Sequence, residues 1–239
     1  MDYEEMNYRP LSREAQLEVS QTFPALMRKT YLWMTMALFI TGMTSFVVAT
    51  NSTVNGVFVE HPQIIWVFFI AELLLVIGLS AAINKISLSV ATLMFVAYSV
   101  LNGVTLSSLF YVYTTGSLAT TFLVSAGTFG AMSLLGFFTK TDLSSIGKYL
   151  LMALVGLIIT TIVNIFVNST AMEMIINYVG VLIFVGLTAY DTQKIKQMFL
   201  MAPDASESTQ KYAVLAALTL YLDFINLFLY LLRFLGKRN

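Results

Sequence analysis

The chain has 239 residues, of which 58% are hydrophobic and only 11% are charged. Soluble domains carry about 25% charged residues, so this composition excludes an ordinary soluble fold and indicates a polytopic membrane protein. The 13 basic and 13 acidic residues cancel, which argues against a nucleic-acid partner. The absence of cysteine excludes disulfides, thiol catalysis and thiolate metal sites, and the single histidine excludes zinc sites built on several histidines.

In chain order, residues 1–29 are predicted to form a cytoplasmic tail and residues 30–239 a single transmembrane helical domain. The polar, acidic segment 1–18 lacks the apolar core of a signal peptide, so the first helix is expected to act as its own insertion signal. A helix needs about 20 apolar residues to cross the ~30 Å hydrocarbon core. Seven stretches are long enough, approximately at residues 30–50, 64–84, 88–113, 118–138, 147–168, 174–195 and 212–233.

Basic residues predict the orientation of these segments. Alternate connections contain, or are flanked by, Arg28, Lys29, Lys85, Lys140, Lys148, Lys194, Lys196 and Lys211. The connections between them, at 51–63, 114–117 and 168–173, contain neither Lys nor Arg. Because cytoplasmic loops carry the excess of Lys and Arg, the N-terminus is predicted to be cytoplasmic.

The seventh segment conflicts with this rule if it crosses the membrane. Arg233, Lys237 and Arg238 would then end up outside. Two arrangements remain open from the sequence. The segment is either re-entrant, which returns the C-terminus to the cytoplasm, or a central helix, sheathed by the others, that crosses despite its charges.

Two aspartates, Asp191 and Asp223, lie in the last two apolar segments. A charge at the centre of an inserting helix costs about 2.5 to 3.5 kcal/mol, so two such residues on consecutive helices indicate a shared functional site. Each has a purely structural alternative. Asp191 is either part of that site or an interfacial carboxylate paired with Lys194 or Lys196. Asp223 is either its partner or a single protonated acid that donates a hydrogen bond across helices.

The last segment carries its polar residues on one side. Spacings of 4, 3, 4 and 3 place five side chains on one helical face, namely Thr219, Asp223, Asn226, Tyr230 and Arg233. The other faces are Leu, Phe and Ile. A lone polar face on an apolar helix is expected to point into the bundle, which predicts a central position for this helix.

If Asp191 and Asp223 face each other, pH sensitivity follows. Two carboxylates in a low dielectric cannot both ionise cheaply, so they are expected to share a proton and to titrate as a unit. The protonated pair would clamp the two helices together, and the ionised pair would repel and offer oxygen ligands to a hard cation. Ca²⁺ takes 6 to 8 oxygens, so two aspartates favour transient passage over tight binding.

Other polar residues within the spans allow two interpretations each. Glu72 is either a further acid on an ion path or a hydrogen-bond partner of a polar stripe on the third span, formed by Tyr98, Asn102 and Thr105. Two further sets lie at helical spacing, Ala126 with Gly130, and Gly156 with Thr160 and Asn164. Such residues either mediate helix–helix contacts or line a water-filled path.

Four segments resemble motifs of the transmembrane Bax inhibitor motif family. Leu-Tyr-Leu-Asp223-Phe-Ile-Asn-Leu-Phe-Leu-Tyr-Leu-Leu-Arg233 is similar to the C-terminal motif, and Gly186-Leu-Thr-Ala-Tyr-Asp191-Thr-Gln-Lys-Ile195 to that of the sixth helix. Gly103-Val-Thr-Leu-Ser-Ser108 and Thr139-Lys-Thr-Asp-Leu-Ser144 resemble middle segments. The resemblance covers nearly the whole chain from about Arg28 and is closest to bacterial members, which implies the bacterial inner membrane.

The resemblance implies an all-α fold with two three-helix layers around a central C-terminal helix. It also implies a pH-sensitive Ca²⁺ leak in which Asp191 and Asp223 form the sensor and gate and contact Ca²⁺ transiently, without a bound cofactor. Thr219, Asn226, Tyr190 and Glu72 are candidate supporting residues. Some members carry an arginine at the cytoplasmic end of the second helix that latches the sixth-helix aspartate. Here Lys85 is the candidate replacement, although it lacks the bidentate guanidinium fork.

The sequence leaves three alternatives to a leak channel. A non-conducting regulator would bind another membrane protein, such as a protease or a death-pathway component. A proton-coupled transporter would take up a substrate that nothing in the sequence identifies. Intramembrane aspartyl proteases share only Tyr190-Asp191, because their Gly-x-Gly-Asp motif is replaced by Leu220-Tyr-Leu-Asp223, and Pro24-Ala25-Leu26 precedes the first span. The chain is therefore expected not to be an enzyme.

Overall fold

The computed structural model describes residues 13–61, 63–202 and 206–239. Residues 1–12 of the predicted tail lie outside the described residues. The described residues form nine helices: α1 (Arg13–Thr50), α2 (Ser52–Glu60), α3 (Ile64–Ala82), α4 (Leu88–Leu106), α5 (Leu109–Val112), α6 (Thr115–Phe138), α7 (Ser144–Val167), α8 (Thr170–Leu200) and α9 (Glu207–Leu235).

The prediction of a helical polytopic membrane protein is confirmed. Seven helices of the described chain are long and apolar enough to cross a membrane, in the order predicted. The main difference is at the first helix, which begins at Arg13 and continues through Pro24. The third predicted span is split into α4 and the short α5, with a turn at Ser107 and Ser108.

The C-terminal helix α9 is the centre of the bundle. It packs against α1 and α4 on one side and against α6 and α8 on the other, while α3 packs on α4 and α7 on α8. In its most apolar window 61% of the residues are buried, against 33% or less in the other spans. The expected two layers, α1–α3–α4 and α6–α7–α8, therefore flank α9.

Hydrogen bonds between helix ends and connecting segments define the two ends of the bundle. At one end, Tyr212 donates to the Asn84 side chain at 2.8 Å and the Lys211 ammonium donates to the Ile86 carbonyl at 2.9 Å. We call this the lysine-rich end, because the lysines within or flanking the α3–α4, α6–α7 and α8–α9 connections lie there. At the other end, the C-terminal end, the Thr114 N–H donates to the Lys237 carbonyl at 3.1 Å.

This pairing shows that α9 crosses the bundle completely. Tyr113 and Arg238 form an antiparallel bridge, and the Asn239 N–H donates to the Val112 carbonyl at 3.0 Å. The last residues thus lie beside the α5–α6 connection, opposite the lysine-rich end. Of the two arrangements left open by the sequence, the crossing helix is the one found, and a re-entrant segment is not.

Glycines bring the helices together at positions other than those the sequence suggested. A Cβ at Gly130 or Gly156 would meet no atom within 4 Å, so neither is a point of close helix contact. A Cβ at Gly136 would instead collide with the backbone of Ala189, so α6 and α8 approach backbone to backbone there. In the α7 stripe, the Thr160 hydroxyl donates to the Gly156 carbonyl, a bond within its own helix that requires no partner.

Candidate functional site

The polar face of α9 lines a groove of about 330 Å³ that we call the dyad groove. Thr219, Asp223, Asn226 and Tyr230 form its α9 wall. The facing walls come from α7 and α8, with Leu151, Leu154, Ile158, Phe184, Leu187 and Asp191. Four of the five residues predicted to share a face thus open onto one cavity, because a 3.6-residue period repeats every three or four positions.

Asp191 and Asp223 meet across the α8–α9 contact. Their carboxyl groups lie within hydrogen-bonding reach of each other. Asp223 is 5% exposed, and its Oδ2 atom has no donor within the described part of the chain. A buried carboxylate oxygen without a donor is costly, and a proton held between the two carboxyls would supply the missing hydrogen bond.

A second, smaller cavity of about 130 Å³ lies beside Asp191. Its lining includes Asp191 and Thr219 together with Lys194, Met198 and Tyr212, which are closer to the lysine-rich end. We call it the lysine-side cavity. Asp191 and Thr219 line both cavities, and Asp223 lines the dyad groove, so a movement of the Asp191 carboxyl would change both spaces.

Close packing fixes the helix that carries Asp191. The Tyr190 ring lies where a Cβ at Gly147 would be, so α7 lies tightly against the motif. The residue after Asp191, Thr192, donates its hydroxyl to Ser133 of α6 at 3.2 Å. Asp191 is thus held between α6 and α7 by its neighbours, while its own carboxyl is left to face α9.

Three lysines are predicted partners of Asp191: Lys194, Lys196 and Lys85. The Lys196 ammonium instead donates to the Phe137 carbonyl at 2.7 Å. Lys194, one turn further along α8, lies close enough to attract the carboxylate, and its ammonium is 5.8 Å from the centre of the Tyr190 ring. Within the described residues it forms no ion pair with Asp191. Lys85 is exposed at the end of α3, does not line the lysine-side cavity and contacts neither aspartate. The arrangement therefore has Lys194, not Lys85, beside the sixth-span aspartate.

Glu72 belongs to a separate buried network. It accepts hydrogen bonds from the Asn102 side chain at 3.0 Å and from Thr105, two residues of the predicted α4 stripe. Asn102 in turn accepts from the Tyr221 hydroxyl at 2.9 Å. Because Tyr221 and Asp223 differ by two helix positions, they point to nearly opposite sides of α9. Of the two interpretations of Glu72, hydrogen bonding to the stripe is the one observed.

Tyr221 is the residue that the sequence did not single out. It is fully buried and lies 2.7 Å from the Thr41 hydroxyl, so it joins α1, α4 and α9. Its ring also packs edge-on against Phe95 and Tyr98. A tyrosine among Leu and Phe is only a weak indication of a functional residue in the sequence. A hydroxyl buried within an apolar bundle does, however, need a hydrogen-bond partner.

The site offers oxygen ligands but no complete metal-binding cage. In the described residues no cluster of three or more His, Cys, Asp or Glu is present. The two aspartates, with the Thr219 and Asn226 side chains on the same groove, would supply part of the shell that Ca²⁺ requires.

Comparison with known proteins identifies the relatives of this chain. A family model described as "Inhibitor of apoptosis-promoting Bax1" matches residues 24–239, which include nearly all of the first candidate span, the whole of the other six and both aspartates. The chain belongs to the Bax inhibitor family. The resemblance noted in the sequence is thereby confirmed.

Bacterial proteins of similar length match almost end to end. The inner membrane protein YbhL of Escherichia coli K12 is 48% identical over 214 residues, which cover 89% of this chain and 92% of that protein. An uncharacterized protein of Borreliella burgdorferi is 45% identical over 88% of this chain and 91% of its own. One from Deinococcus radiodurans is 38% identical over 96% of both chains.

Proposed function

We propose that this Bax inhibitor family protein is a pH-sensitive Ca²⁺ leak channel gated by Asp191 and Asp223. One observation carries this function: the two carboxyl groups lie within hydrogen-bonding reach of each other in the dyad groove, and Asp191 also lines the lysine-side cavity. Intramembrane acids in such positions typically mark ion or proton pathways.

The proposed gate depends on one shared proton. With the proton bound, the pair forms a short hydrogen bond that holds α8 against α9 and keeps the cavities apart. Without it, two negative charges face each other in a low dielectric, repel, and attract a cation into the gap. Flux is therefore expected to rise with pH over the range in which the pair loses its proton.

The other candidate residues have supporting roles in this scheme. Thr219 and Asn226 contribute oxygens on the path, and Tyr190 fixes the position of Asp191 through its contact with Gly147. Lys194 is proposed to latch the Asp191 carboxylate, the part expected of Lys85, and would there compete with the cation. Glu72 is proposed to stabilise the bundle and not to carry ions.

We place the protein in the bacterial inner membrane, with the lysine-rich end and the N-terminus in the cytoplasm. The lysine distribution and the name of the Escherichia coli relative support this location. Lipids, protons and Ca²⁺ are then its immediate partners. The competing function, a non-conducting regulator of another membrane protein, becomes the preferred one if the purified protein passes no ions.

The test is Ca²⁺ influx into dye-loaded proteoliposomes from about pH 6 to 8. Asp191→Asn and Asp223→Asn are each expected to give a low flux that no longer depends on pH, because an amide cannot lose the proton that clamps the helices.

Asp142→Asn is the matched control. Hydrogen bonds from Ser144 lower the pKa of the exposed Asp142 carboxyl, so it stays ionised throughout this range. Wild-type flux no greater than that of empty vesicles would overturn the proposal.

A further inference from the structure

A third cavity opens sideways between the two helix layers. It has a volume of about 270 Å³ and is lined by residues of α1, α4, α5, α6 and α9. Its floor is formed by Phe224, Ile225 and Phe228 of α9, and its two walls include Phe46 of α1 and Phe122 of α6. We call it the lateral groove.

The lateral groove faces the bilayer. Its wall residues Phe46 and Phe122 are 50% and 42% exposed, and Gly42 on α1 is exposed as well. On the side toward the lysine-rich end, Phe129 of α6 packs edge-on against Phe224 of the groove floor, and Tyr31 of α1 is hydrogen-bonded to Ser133 of α6. The groove therefore closes at that end and opens toward the lipid and the C-terminal end of the bundle.

Thr41 and Ser45 are buried polar residues of its lining. Thr41 does not need a polar ligand, because its hydroxyl donates to the Ser99 carbonyl at 2.9 Å and meets Tyr221. The remaining lining is apolar, which fits a hydrocarbon chain.

Two basic residues stand at the open end of the groove. The tail carrying Lys237 and Arg238 is held against the α5–α6 connection, where the Lys237 N–H donates to Ser117 at 2.8 Å. The adjoining residues Thr115 and Leu118 line the groove itself. Lys237 and Arg238 are exposed, and within the described chain neither forms an ion pair.

We infer that the lateral groove binds one anionic phospholipid, with an acyl chain between α1 and α6 and its phosphate beside Lys237 and Arg238. The groove supplies an apolar slot that opens to the bilayer, and the tail supplies opposite charge where a headgroup would lie. An anionic headgroup would also explain why basic residues are placed at the end opposite the other lysines, against the usual charge rule. This site is independent of the aspartate pair.

Quenching by brominated lipid acyl chains tests the inference directly. The chain has two tryptophans, Trp33 and Trp66, and both are replaced by Phe. Phe122→Trp then gives a single reporter in the groove wall, with Phe46→Trp as a second reporter on the opposite wall. The protein is reconstituted into nanodiscs with increasing fractions of dibrominated phosphatidylglycerol or of dibrominated phosphatidylcholine with the same chains.

We expect phosphatidylglycerol to reach half-maximal quenching at a lower mole fraction than phosphatidylcholine does, by a factor of at least about five. This factor corresponds to the attraction of one basic residue for an anionic headgroup. Lys237→Gln with Arg238→Gln should remove this preference. Lys140→Gln with Lys148→Gln makes the same charge change at the lysine-rich end and should leave it intact. Equal quenching by the two lipids in the parent protein, or a preference that survives at Lys237→Gln/Arg238→Gln, would overturn the inference.

Gly42→Leu tests the acyl-chain part separately. A Cβ at Gly42 meets no atom within 4 Å, so the larger side chain enters the groove without a collision at its first atom and the melting temperature should be retained. Quenching by both lipids should fall, because the slot is filled. Unchanged quenching in a folded Gly42→Leu protein would show that the acyl chain lies elsewhere.

Discussion

On α9, two residues separated by one position serve different purposes. Asp223 faces α8 and the dyad groove, and Tyr221 faces α1 and α4 in the network with Asn102 and Glu72. The rotation of about 200° between them allows one central helix to carry a titrating site and a structural one. The two sites should therefore respond separately to substitution.

Tyr221→Phe tests the structural site. The change keeps the ring, removes the hydroxyl that joins Thr41 to Asn102, and leaves the Asn102 oxygen without its donor. We expect a loss of about 1 kcal/mol in the free energy of unfolding, the size typical of hydrogen bonds between membrane helices. The measurement is denaturant unfolding in detergent micelles. The pH profile of Ca²⁺ flux should keep its shape, and a changed profile would contradict the separation of the two sites.

Glu72→Gln also tests whether the structural network is separate from the aspartate site, here at the Glu72 end of the network. The amide can still accept from Asn102, but it can no longer present two carboxylate oxygens to Asn102 and Thr105. We expect a lower melting temperature and a flux that still rises with pH. Loss of the pH dependence in a stably folded Glu72→Gln protein would show that Glu72 belongs to the ion path after all.

Sequence reasoning works well for residues whose chemistry is out of place. Asp191 and Asp223 stand out because charge is rare in such segments, and the α9 stripe follows from helical spacing. Tyr221 was missed because a phenol is common among apolar residues, and its importance depends on Thr41, which is far away in sequence.

At the scale of elements, the contact between α6 and α8 positions the Tyr190-Asp191 motif. It depends on Gly136, whose missing side chain lets the two backbones approach at Ala189. Spacing alone suggested Ala126 and Gly130 instead. Small residues at helical intervals show where a close approach is allowed, but the helix rotation in the bundle decides which of them is used.

Gly136→Ala and Gly130→Ala form a matched pair on the same helix. At Gly136 the added methyl group meets backbone that cannot swing aside, so α8 must shift, and we expect a loss of about 1–3 kcal/mol in unfolding free energy. At Gly130 the methyl group enters open space, so stability should be unchanged or slightly higher. Thermal unfolding of both variants measures the difference, and equal stability would contradict the close α6–α8 contact.

The start of the first helix is likewise something that the sequence alone did not predict. Arg28 and Lys29 lie just before the predicted first span, which begins near residue 30, yet α1 is continuous from Arg13. Lys29 is accommodated because its ammonium donates to the Gln210 side chain at 2.6 Å at the start of α9. A charged residue near a helix start therefore ends the predicted apolar stretch without ending the helix.

At the scale of the whole molecule, the odd number of spans puts the two termini of the described chain at opposite ends of the bundle. The sequence could not choose between a crossing and a re-entrant last helix, because the basic residues after Tyr230 argue against the crossing. Burial decides the matter: α9 is shielded by both layers, and its tail is held by backbone hydrogen bonds to 112–114.

The chain lacks cysteine, which allows a direct test of this topology. Asn239→Cys and Asp142→Cys place single thiols at the C-terminal end and the lysine-rich end. With the lysine-rich end in the cytoplasm, a membrane-impermeant maleimide should label intact spheroplasts at Asn239→Cys and reach Asp142→Cys only after permeabilisation. Labelling of both thiols from outside, or the reverse pattern, would contradict the proposed orientation.

The central claim is that Asp191 and Asp223 share one proton and act as a unit. Its most direct test is the pH profile of Ca²⁺ flux in proteoliposomes for Asp191→Asn, Asp223→Asn and the double variant. Residues that act as a unit are not additive, so the double variant should lose no more pH dependence than either single one. Two partial losses that add in the double variant would show that the carboxyls titrate independently and would contradict the shared-proton gate.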